Sequence, residues 1–516
     1  MSLYDPRRLA GSSLFATALA LLIVTPFASA QSPSSTERAA AAEAATAPAG
    51  LQPEAVSDQD IADAIEDRWL ADGILDLNRI DITVDEGIAQ IDGSASSLLE
   101  KQRAARIAEA VKGVRAVSNQ LQVEPRAAAD DDLVEKQIDT GLMFDPALGD
   151  GKVGVSVEDG IARLTGTVQS WPEWQSAERV AKGVRGVLAV TNNIEVRYPE
   201  QRSDAEIRSD VEERLRWDVR LSTVPLIVAV NDGVVQLSGT VASAAQKRWA
   251  RWKSWVNGVQ DVDAEAVIVS PWITADDWRA EREPIRDDST IRDALTDALL
   301  YDPRVSTFNV APEVDDGWVT LRGSVPALRA KQAAERVARH TVGVAGVINR
   351  IKVRPERPVG DADLASRILD ALEANPYTEA IDTTVRVHDG QVTLTGTADT
   401  RFEKREAARV AAGVLGVTDV RNAIELIPID PTWQDTWETD TSIPIVTTRG
   451  DADILDAVEN QLFWSPFVDS DAIDVSVAGG IVTLDGTVDS WWEYNAAEAN
   501  AFDAGVTTVI NDLDVN

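Results

Sequence analysis

The most chemically suggestive stretch of this chain lies between Gly239 and Gly258. It brings cations and indole rings together within nine positions: Lys247, Arg248, Trp249, Arg251, Trp252, Lys253 and Trp255. The whole chain has 85 acidic residues against 49 lysines and arginines, a net charge of −36, so this cluster is a local exception. Tryptophans beside cations are typical of a helix that lies at a lipid headgroup layer, where each basic residue contributes about 1 kcal/mol. We therefore expect these seven residues to be lipid-binding candidates.

Residues for catalysis or metal binding are scarce. The chain has no cysteine and two histidines, His340 and His388, for which we expect exposed, satisfied surface positions in different parts of the fold. No serine stands in a nucleophile-elbow context, and the abundant carboxylates make their spacing uninformative. Asp130-Asp131-Asp132 reads as a solvated linker run, with weak calcium binding as the alternative. We predict no enzyme, no catalytic residue, no metal site and no cofactor.

Six glycine pairs show that the chain is an array of one repeated unit. The members of each pair stand six positions apart, and a third glycine followed by valine closes each unit. The pairs are Gly87 and Gly93, Gly160 and Gly166, Gly233 and Gly239, Gly317 and Gly323, Gly390 and Gly396, and Gly480 and Gly486. Self-similarity at a fixed period indicates repeated domains. Units this small are marginally stable alone, so we expect them to pack on their neighbours.

Each unit contains the same pattern of elements. Apolar residues at helical spacing open the unit, as in Ile61, Ile65 and Trp69. Two alternating segments joined by an Asp-Gly turn then predict a hairpin. A Ser or Thr with Glu or Gln three positions later predicts a capped second helix in every unit but the fourth, and a last alternating segment predicts a third strand. The fold class is therefore α+β: six tandem αββαβ domains, each a three-stranded sheet covered on one face by two helices.

The third unit departs from this pattern in its second helix. Counted back from Gly258, Trp249 takes the position of Ala104 in the first unit, whereas forward counting places Ala250 there. We prefer the backward alignment. An indole in an alanine-sized space overpacks a core by about 1 to 3 kcal/mol, so the core is rebuilt around the tryptophans or the rings point outward. Trp255 is the ring that we most expect to be exposed.

The Asp-Gly hairpin, Leu-x-Gly, capped alanine-rich helix, Gly-Val-x-x-Val and terminal Asn-x-Leu-x-Val together resemble the BON (bacterial OsmY and nodulation) domain. The resemblance extends over nearly all of residues 57–516. It implies an OsmY-like protein of the periplasm that binds phospholipid or an outer-membrane protein, supports osmotic-stress tolerance and has no established catalysis.

The chain termini and linkers complete the predicted organisation. Residues 1–30 have the layout of a cleaved secretory signal, which predicts export to the periplasm, and residues 31–56 read as a flexible linker. We place the six domains at 57–123, 131–196, 203–269, 287–353, 361–426 and 450–515. No later segment is apolar enough for a transmembrane span, and the acidic charge disfavours nucleic acid.

Two longer connections predict that the units group as three, two and one. They contain Trp272, Trp278, Trp433 and Trp437, which we expect to pack on a neighbouring unit or to bind a partner. Three functions remain open: a lipid-binding envelope protein, an elongated structural spacer without lipid binding, and an oligomeric ring module. Solution mass and vesicle binding would separate them.

Overall fold

The computed structural model describes residues 56–515 apart from residues 126–128, 146, 149–152, 273–286, 303, 306–309, 356–358, 380, 428–449 and 507. Trp278, Trp433 and Trp437 lie outside the described residues. Trp272 is described, and its ring lies 5.6 Å from the Lys112 ammonium of the first unit, in agreement with packing on a neighbour. No helix in the described part is long and apolar enough to cross a membrane.

The predicted αββαβ order is confirmed in all six units. Unit one contains α1 (Asp58–Asp72), β1 (Ile80–Asp85), β2 (Ile88–Ala95), α2 (Leu98–Ala108), β3 (Ala116–Asn119) and β4 (Gln122–Val123). Unit two contains α3 (Asp131–Phe144), β5 (Val153–Glu158), β6 (Ile161–Val168), α4 (Trp171–Lys182) and β7 (Ala189–Val196). Unit three contains α5 (Asp204–Trp217), β8 (Leu226–Asn231), β9 (Val234–Val241), α6 (Ala244–Lys253), β10 (Asp261–Asp263) and β11 (Val267–Val269). The last strand is split in units one, three and four, so its two segments carry separate labels.

The other three units repeat the arrangement. Unit four contains α7 (Asp288–Tyr301), β12 (Val310–Asp315), β13 (Trp318–Val325), α8 (Leu328–Arg339), β14 (Gly346–Asn349) and β15 (Lys352–Val353). Unit five contains α9 (Asp361–Ala374), β16 (Asp382–His388), β17 (Gln391–Ala398), α10 (Arg401–Ala411) and β18 (Asp419–Leu426). Unit six contains α11 (Asp451–Phe463), β19 (Ile473–Ala478), β20 (Ile481–Val488), α12 (Trp491–Asp503) and β21 (Thr508–Val515). In each sheet the first two strands pair antiparallel, and the last strand pairs parallel to the middle one.

The hairpin turn of every unit is held by an aspartate that the sequence pattern did not reveal. The first residue of each opening helix, such as Asp131 in α3, accepts hydrogen bonds from both turn amides; in the second unit these belong to Asp159 at 2.7 Å and Gly160 at 3.0 Å. Both turn residues have positive φ, 51° and 72°, which a two-residue hairpin of this type requires. The same clamp occurs at Asp58, Asp204, Asp288, Asp361 and Asp451.

The second helix begins as the sequence predicts. Ser97, Ser170, Ser243, Thr400 and Ser490 each accept a bond from the amide three residues on, and Ala327 of unit four has no such cap. The third unit differs from the others in its last strand. An asparagine in the last strand of the other units, such as Asn422, donates to a carbonyl of the second helix, at Lys404. Ala264 of the third unit cannot do so.

Units one, two and three form a closed cycle through the start of each second helix. Leu98 packs against the core of unit two, and Trp171 packs against the core of unit three. Ala244 lies within the core cluster of unit one and closes the cycle. These side chains therefore extend the core of the next unit.

Units four, five and six form a second cycle of the same kind. Leu328 lies within the core cluster of unit five. Arg401 donates to the Val506 carbonyl of unit six at 2.8 Å. The Trp492 ring packs edge-on against His340 of unit four at 5.3 Å. The predicted grouping of three, two and one is therefore wrong, because contacts at the helix starts group the units three and three regardless of linker length.

The two cycles contact each other in pairs through their backbones. The amide before the third glycine of one unit donates to a carbonyl at the end of the first helix of another. The pairs are Lys112 to Trp464, Arg185 to Ala374 and Val342 to Trp217, at 2.8, 2.8 and 3.1 Å. They join units one to six, two to five, and four to three. These contacts between the first and last units exclude the elongated spacer as an arrangement of this chain.

Candidate binding site

Helix α6 aligns with the other second helices by its start, not by the glycine that follows it. Its N-cap Ser243 fixes the register, and Ala250 lies fully buried in the core of unit three. The preferred backward alignment, which placed Trp249 in that core position, is therefore wrong. The segment from the cap to Gly258 is one residue shorter than its counterpart in unit one, because helix α6 ends one residue earlier than α2. Sequence offsets alone could not locate it.

Trp255 is buried, contrary to the expectation of an exposed ring. It is 9% exposed and belongs to the core cluster of unit three. Its ring stacks on Trp171 of unit two, with centroids 3.8 Å apart, and Trp171 stacks in turn on Trp174 at 4.2 Å. The neighbouring unit supplies the apolar surface that covers this indole. Trp255 therefore joins two units.

Trp249 lies at the contact between the two cycles. Its ring is 5.1 Å from Phe467 and 6.3 Å from Trp492, both in unit six. The Arg220 guanidinium lies 4.6 Å above the same ring. Aromatic pairs and cation–π contacts of this kind each contribute about 0.5 to 2 kcal/mol. The ring packs against the edge of its own unit's core, and unit six covers its other side.

Two cations of α6 form ion pairs across or beside unit boundaries. Arg248 pairs with Glu109 of unit one, and Lys253 pairs with the buried Asp218 at 2.8 Å. Burial acts to raise the pKa of Asp218, but Lys253 and the fork of Arg220 hold that pKa well below its usual range. Asp218 is therefore ionised at neutral pH. Removing either cation would leave a buried carboxylate under-compensated.

The other three candidates differ in exposure. The Lys247 ammonium donates to the Val267 carbonyl at 2.7 Å, and burial lowers the pKa of Lys247. Arg251 is exposed and donates weakly to the Val262 carbonyl at 3.3 Å. Trp252 is 58% exposed, the most accessible indole of the group. Of the three tryptophans, Trp252 alone is free to contact a ligand.

Trp252 lines a cavity of about 860 Å³ that several units build together. Equivalent positions of three second helices face it: Gln102, Gln175 and Arg248 at one level, and Arg106, Arg179 and Trp252 at another. Trp171, Trp174 and Trp217 add indole surface, and α5 and α7 complete the wall. Lysines and arginines in this lining are as numerous as acids, although the chain as a whole is strongly acidic. A cavity of this size is typical of a small-ligand site.

Most charged groups in the lining are already paired. Lys182 pairs with Glu178 at 2.6 Å, and Arg304 pairs with Asp302. Arg106 differs: its guanidinium donates to the Gln102 carbonyl at 3.3 Å and forms no ion pair within the described ranges. Desolvation is the main cause of the lowered pKa of Arg106, and the nearby Arg103 and Arg248 guanidinium groups add to it. An anion bound in the cavity would offset both the desolvation and the repulsion by these two guanidinium groups, and it would raise the pKa of Arg106.

His340 is not the surface residue that the sequence suggested. It lies at the contact of units three and four, where its carbonyl accepts from the Val219 amide at 3.0 Å. Burial, with the nearby Arg220, lowers the pKa of His340 to about 3. The imidazole is therefore neutral at physiological pH.

Asp361, His388 and Asp389 are close enough together to suggest metal ligands. However, both carboxylate oxygens of Asp361 already accept from the amides of the Asp389-Gly390 turn. This exposed group is explained by the hairpin clamp. We assign no metal or cofactor to it.

The cavity could not be found from one unit's sequence, because no single unit encloses it. A signal was nevertheless present. Arginine recurs at one position of the second helix in four units, as Arg106, Arg179, Arg336 and Arg409, and Trp252 takes that position in unit three. A repeated cation on the same helix face marks a surface that the units share.

Comparison with known proteins finds relatives of part of this chain. The chain is 29% identical over 124 residues to osmotically-inducible protein Y of Escherichia coli (strain K12). That match spans 23% of this chain and 62% of the relative's length. Two solved structures of CdsD, a structural protein of the type III secretion system of Chlamydia trachomatis, are 16% identical with a TM-score of 0.12. They cover 44% and 46% of this chain and all of theirs.

The family comparison covers most of the described structure. The model of the BON domain matches six segments, residues 57–125, 130–198, 203–270, 287–355, 360–428 and 450–516. Each segment contains one αββαβ unit with its clamped hairpin. Together they make up more than half of the chain, which therefore belongs to the BON domain family.

Proposed function

We propose that this chain is a non-catalytic envelope protein, exported to the periplasm, that binds phospholipid headgroups and supports outer-membrane integrity under osmotic stress. Membership of the BON family and the relative named for its osmotic induction support the physiological setting. The inter-unit cavity is the proposed binding site.

The guanidinium of Arg106, which forms no ion pair with another described residue, carries this proposal. A guanidinium can donate two parallel hydrogen bonds to a phosphate, and such charge-assisted bonds are the stronger class. Trp252 and Trp174 offer apolar surface for the glycerol backbone and the first methylenes beside that phosphate. An anionic headgroup with an apolar continuation therefore matches both parts of the wall.

The seven candidate residues of the third unit have different roles in this proposal. Arg248, Trp252 and Lys253 line the cavity and contact the ligand or its counter-charges. Lys247 and Arg251 lie outside the lining and attract anionic lipid at longer range. Trp249 and Trp255 hold the walls in place through their contacts with units six and two.

The charge arrangement of the lining supports binding without catalysis. Four acids of the cavity, Glu109, Glu178, Asp218 and Asp302, are engaged with Arg248, Lys182, Lys253 and Arg304. Burial acts to raise the pKa values of Asp218 and Asp302, but their cations hold both below the usual range, so these two carboxylates are poor general acids. His340, kept neutral by burial, also faces the cavity as part of an inter-unit contact.

Calorimetric titration with dihexanoyl phosphatidylglycerol, a short-chain lipid used below its micelle concentration, tests the site without a membrane. Arg106→Gln should weaken binding about tenfold, because loss of one charge-assisted contact costs roughly 1.4 kcal/mol or more. Trp252→Ala should also weaken binding, by up to about tenfold, because it removes aromatic contact worth about 0.5 to 1.5 kcal/mol. Arg163→Gln, an exposed arginine on the sheet of unit two, is the matched control and should bind like the wild type. Equal affinities for Arg106→Gln and Arg163→Gln would remove the cavity from the proposal.

The alternative function is a scaffold that binds no lipid, now in the form of two packed cycles. The extensive backbone pairing between cycles favours it, since such pairing fixes the units without any ligand. Absence of heat with both anionic and zwitterionic short-chain lipids at low salt would favour this scaffold over the lipid-binding protein.

A further inference from the structure

The outer sheet faces of units four and six carry opposite charges at equivalent positions. We call Trp318, Arg322, Ile348, Arg350 and Lys352 the basic face, and Ile481, Asp485, Ile510, Asp512 and Asp514 the acidic face. The shared glycines and asparagines of the repeat set the correspondence. Arg322 and Asp485 directly precede the second glycine, and Trp318 and Ile481 lie five positions before it. The other three pairs lie within three positions of the last-strand asparagine. Charge is reversed at three positions, and an apolar residue is kept at two.

Both faces point away from the helices and are accessible. The four large apolar side chains, Trp318, Ile348, Ile481 and Ile510, are each between 41% and 50% exposed. All six charged residues are exposed as well. A flat face that combines exposed apolar side chains with one sign of charge is typical of an interaction surface.

The acidic face lacks counter-charges of its own. Asp485 lies directly opposite Asp512 in the parallel pairing of β20 and β21, an arrangement of like charges that destabilises a sheet. None of the three aspartates forms an ion pair with another described residue. On the basic face Arg322 pairs with Glu313 at 2.9 Å, whereas Arg350 and Lys352 form no ion pair within the described part of the chain.

We propose that the basic face of one chain docks on the acidic face of a second copy of this chain. A second copy is favoured because its aspartates match the three cations in number and spacing, with apolar side chains between them. An anionic membrane would instead meet the repulsion of a chain with net charge −36. The two faces are different surfaces of one chain, so the contact is heterologous and continues head to tail into a ring or a filament.

The size of the faces indicates a weak association. Three strands of about eight residues present roughly 400 Å² per partner, from strand spacings of about 4.8 Å and a rise of about 3.4 Å per residue. The surface area buried on both partners together lies at the low end of the range for specific interfaces. Self-association should therefore appear at tens to hundreds of micromolar protein and decline as salt screens the pairs. This inference is independent of the lipid-binding proposal, since neither face contributes to the cavity.

Sedimentation velocity of the full chain at low salt, from about 5 to 500 μM, tests the docking. The wild type should sediment faster as its concentration rises. Arg350→Glu with Lys352→Glu, and separately Asp512→Lys with Asp514→Lys, should each weaken self-association at least tenfold. An equimolar mixture of these two double variants should associate again, because one then carries two acidic faces and the other two basic faces.

Controls separate this result from misfolding and from membrane binding. All four positions are exposed, three of them in strands and Arg350 between β14 and β15, and unchanged circular dichroism checks that the variants fold. Arg163→Glu on the sheet of unit two should associate like the wild type. A wild type that stays monomeric throughout, or double variants that fail to associate when mixed, would overturn the proposal. Binding of wild type but not of Arg350→Glu/Lys352→Glu to phosphatidylglycerol vesicles, without self-association, would assign the basic face to the membrane instead.

Discussion

The aspartate at the start of each first helix stabilises two features at once. Its carboxylate accepts both amides of the hairpin turn, and its negative charge lies at the helix N-terminus, where the dipole favours it. In unit six Asp451 accepts from Gly479 and Gly480, both at 2.8 Å. Both residues of that turn are glycines. Without the clamp, it would therefore be the most flexible of the six hairpin turns.

Asp451→Ala should therefore loosen the hairpin turn of unit six. We expect a local loss of about 1 kcal/mol, which corresponds to roughly fivefold faster hydrogen exchange of the peptide containing Gly479 and Gly480. Asp456→Ala, an exposed aspartate further along the same helix, is the control and should leave that exchange unchanged. Equal exchange in both variants would contradict the clamp.

His340 gives the molecule a defined pH dependence. Its pKa in the folded chain is lowered to about 3, below the value of about 6.5 for an unfolded histidine. The stability that depends on neutral His340 is therefore fully present above pH 6.5 and is lost as the pH falls toward 3. The groups that act on it are Arg220, Asp218, Lys253 and Arg336.

Comparison of wild type with His340→Gln by urea unfolding measures this effect. The stability advantage of the wild type should shrink by about 1 to 2 kcal/mol between pH 7 and pH 5. Other titrating groups are common to both proteins and cancel in the difference. His388→Gln, whose side chain is 90% exposed, serves as the control variant. An advantage that stays constant or grows on acidification would contradict the neutral state of the partly buried His340.

At the scale of elements, local sequence patterns predicted nearly every helix and strand. Capping serines, Asp-Gly turns and alternation act within a few residues, so each unit contains its own signals for them. The environment of a helix face is different. Spacing predicted an exposed Trp255, yet its ring stacks on Trp171 across a unit boundary. What covers a side chain here depends on another unit, and that information is absent from local spacing.

Trp171→Ala should destabilise the contact of units two and three. The ring packs against Trp174, Trp255 and the core of unit three, so its removal should cost about 3 kcal/mol through lost contacts and an unfilled space. Trp318→Ala removes the same ring from an exposed sheet position and should cost less than about 1 kcal/mol. Chemical unfolding at low protein concentration measures both, and similar losses would argue against the inter-unit stack.

At the scale of the whole chain, the six units form two cycles of consecutive units, and contacts between the cycles join units that are distant in sequence, such as units one and six. Glycine and capping signals repeat in every unit, so the sequence predicted the number and fold of the units. The sequence did not predict their arrangement. Linker length suggested groups of three, two and one, but linker length does not determine which units contact each other. The observed grouping depends on single residues such as Leu98, Leu328 and Arg401 at the starts of second helices.

A disulfide between units one and five would test the packing of the two cycles directly. The native chain has no cysteine, so an engineered pair has no competing thiols. A Cβ at Gly73 would lie 3.9 Å from the Cβ of Thr400, within the range for a disulfide. Gly73→Cys with Thr400→Cys should therefore oxidise within one chain, shift on a non-reducing gel and revert with reductant. Gly479→Cys with Thr400→Cys is the control, since a Cβ at Gly479 meets no described atom within 4 Å. If the first pair forms no more intramolecular disulfide than the control, then units one and five do not pack as described, because two thiols held this close in a folded chain would oxidise readily.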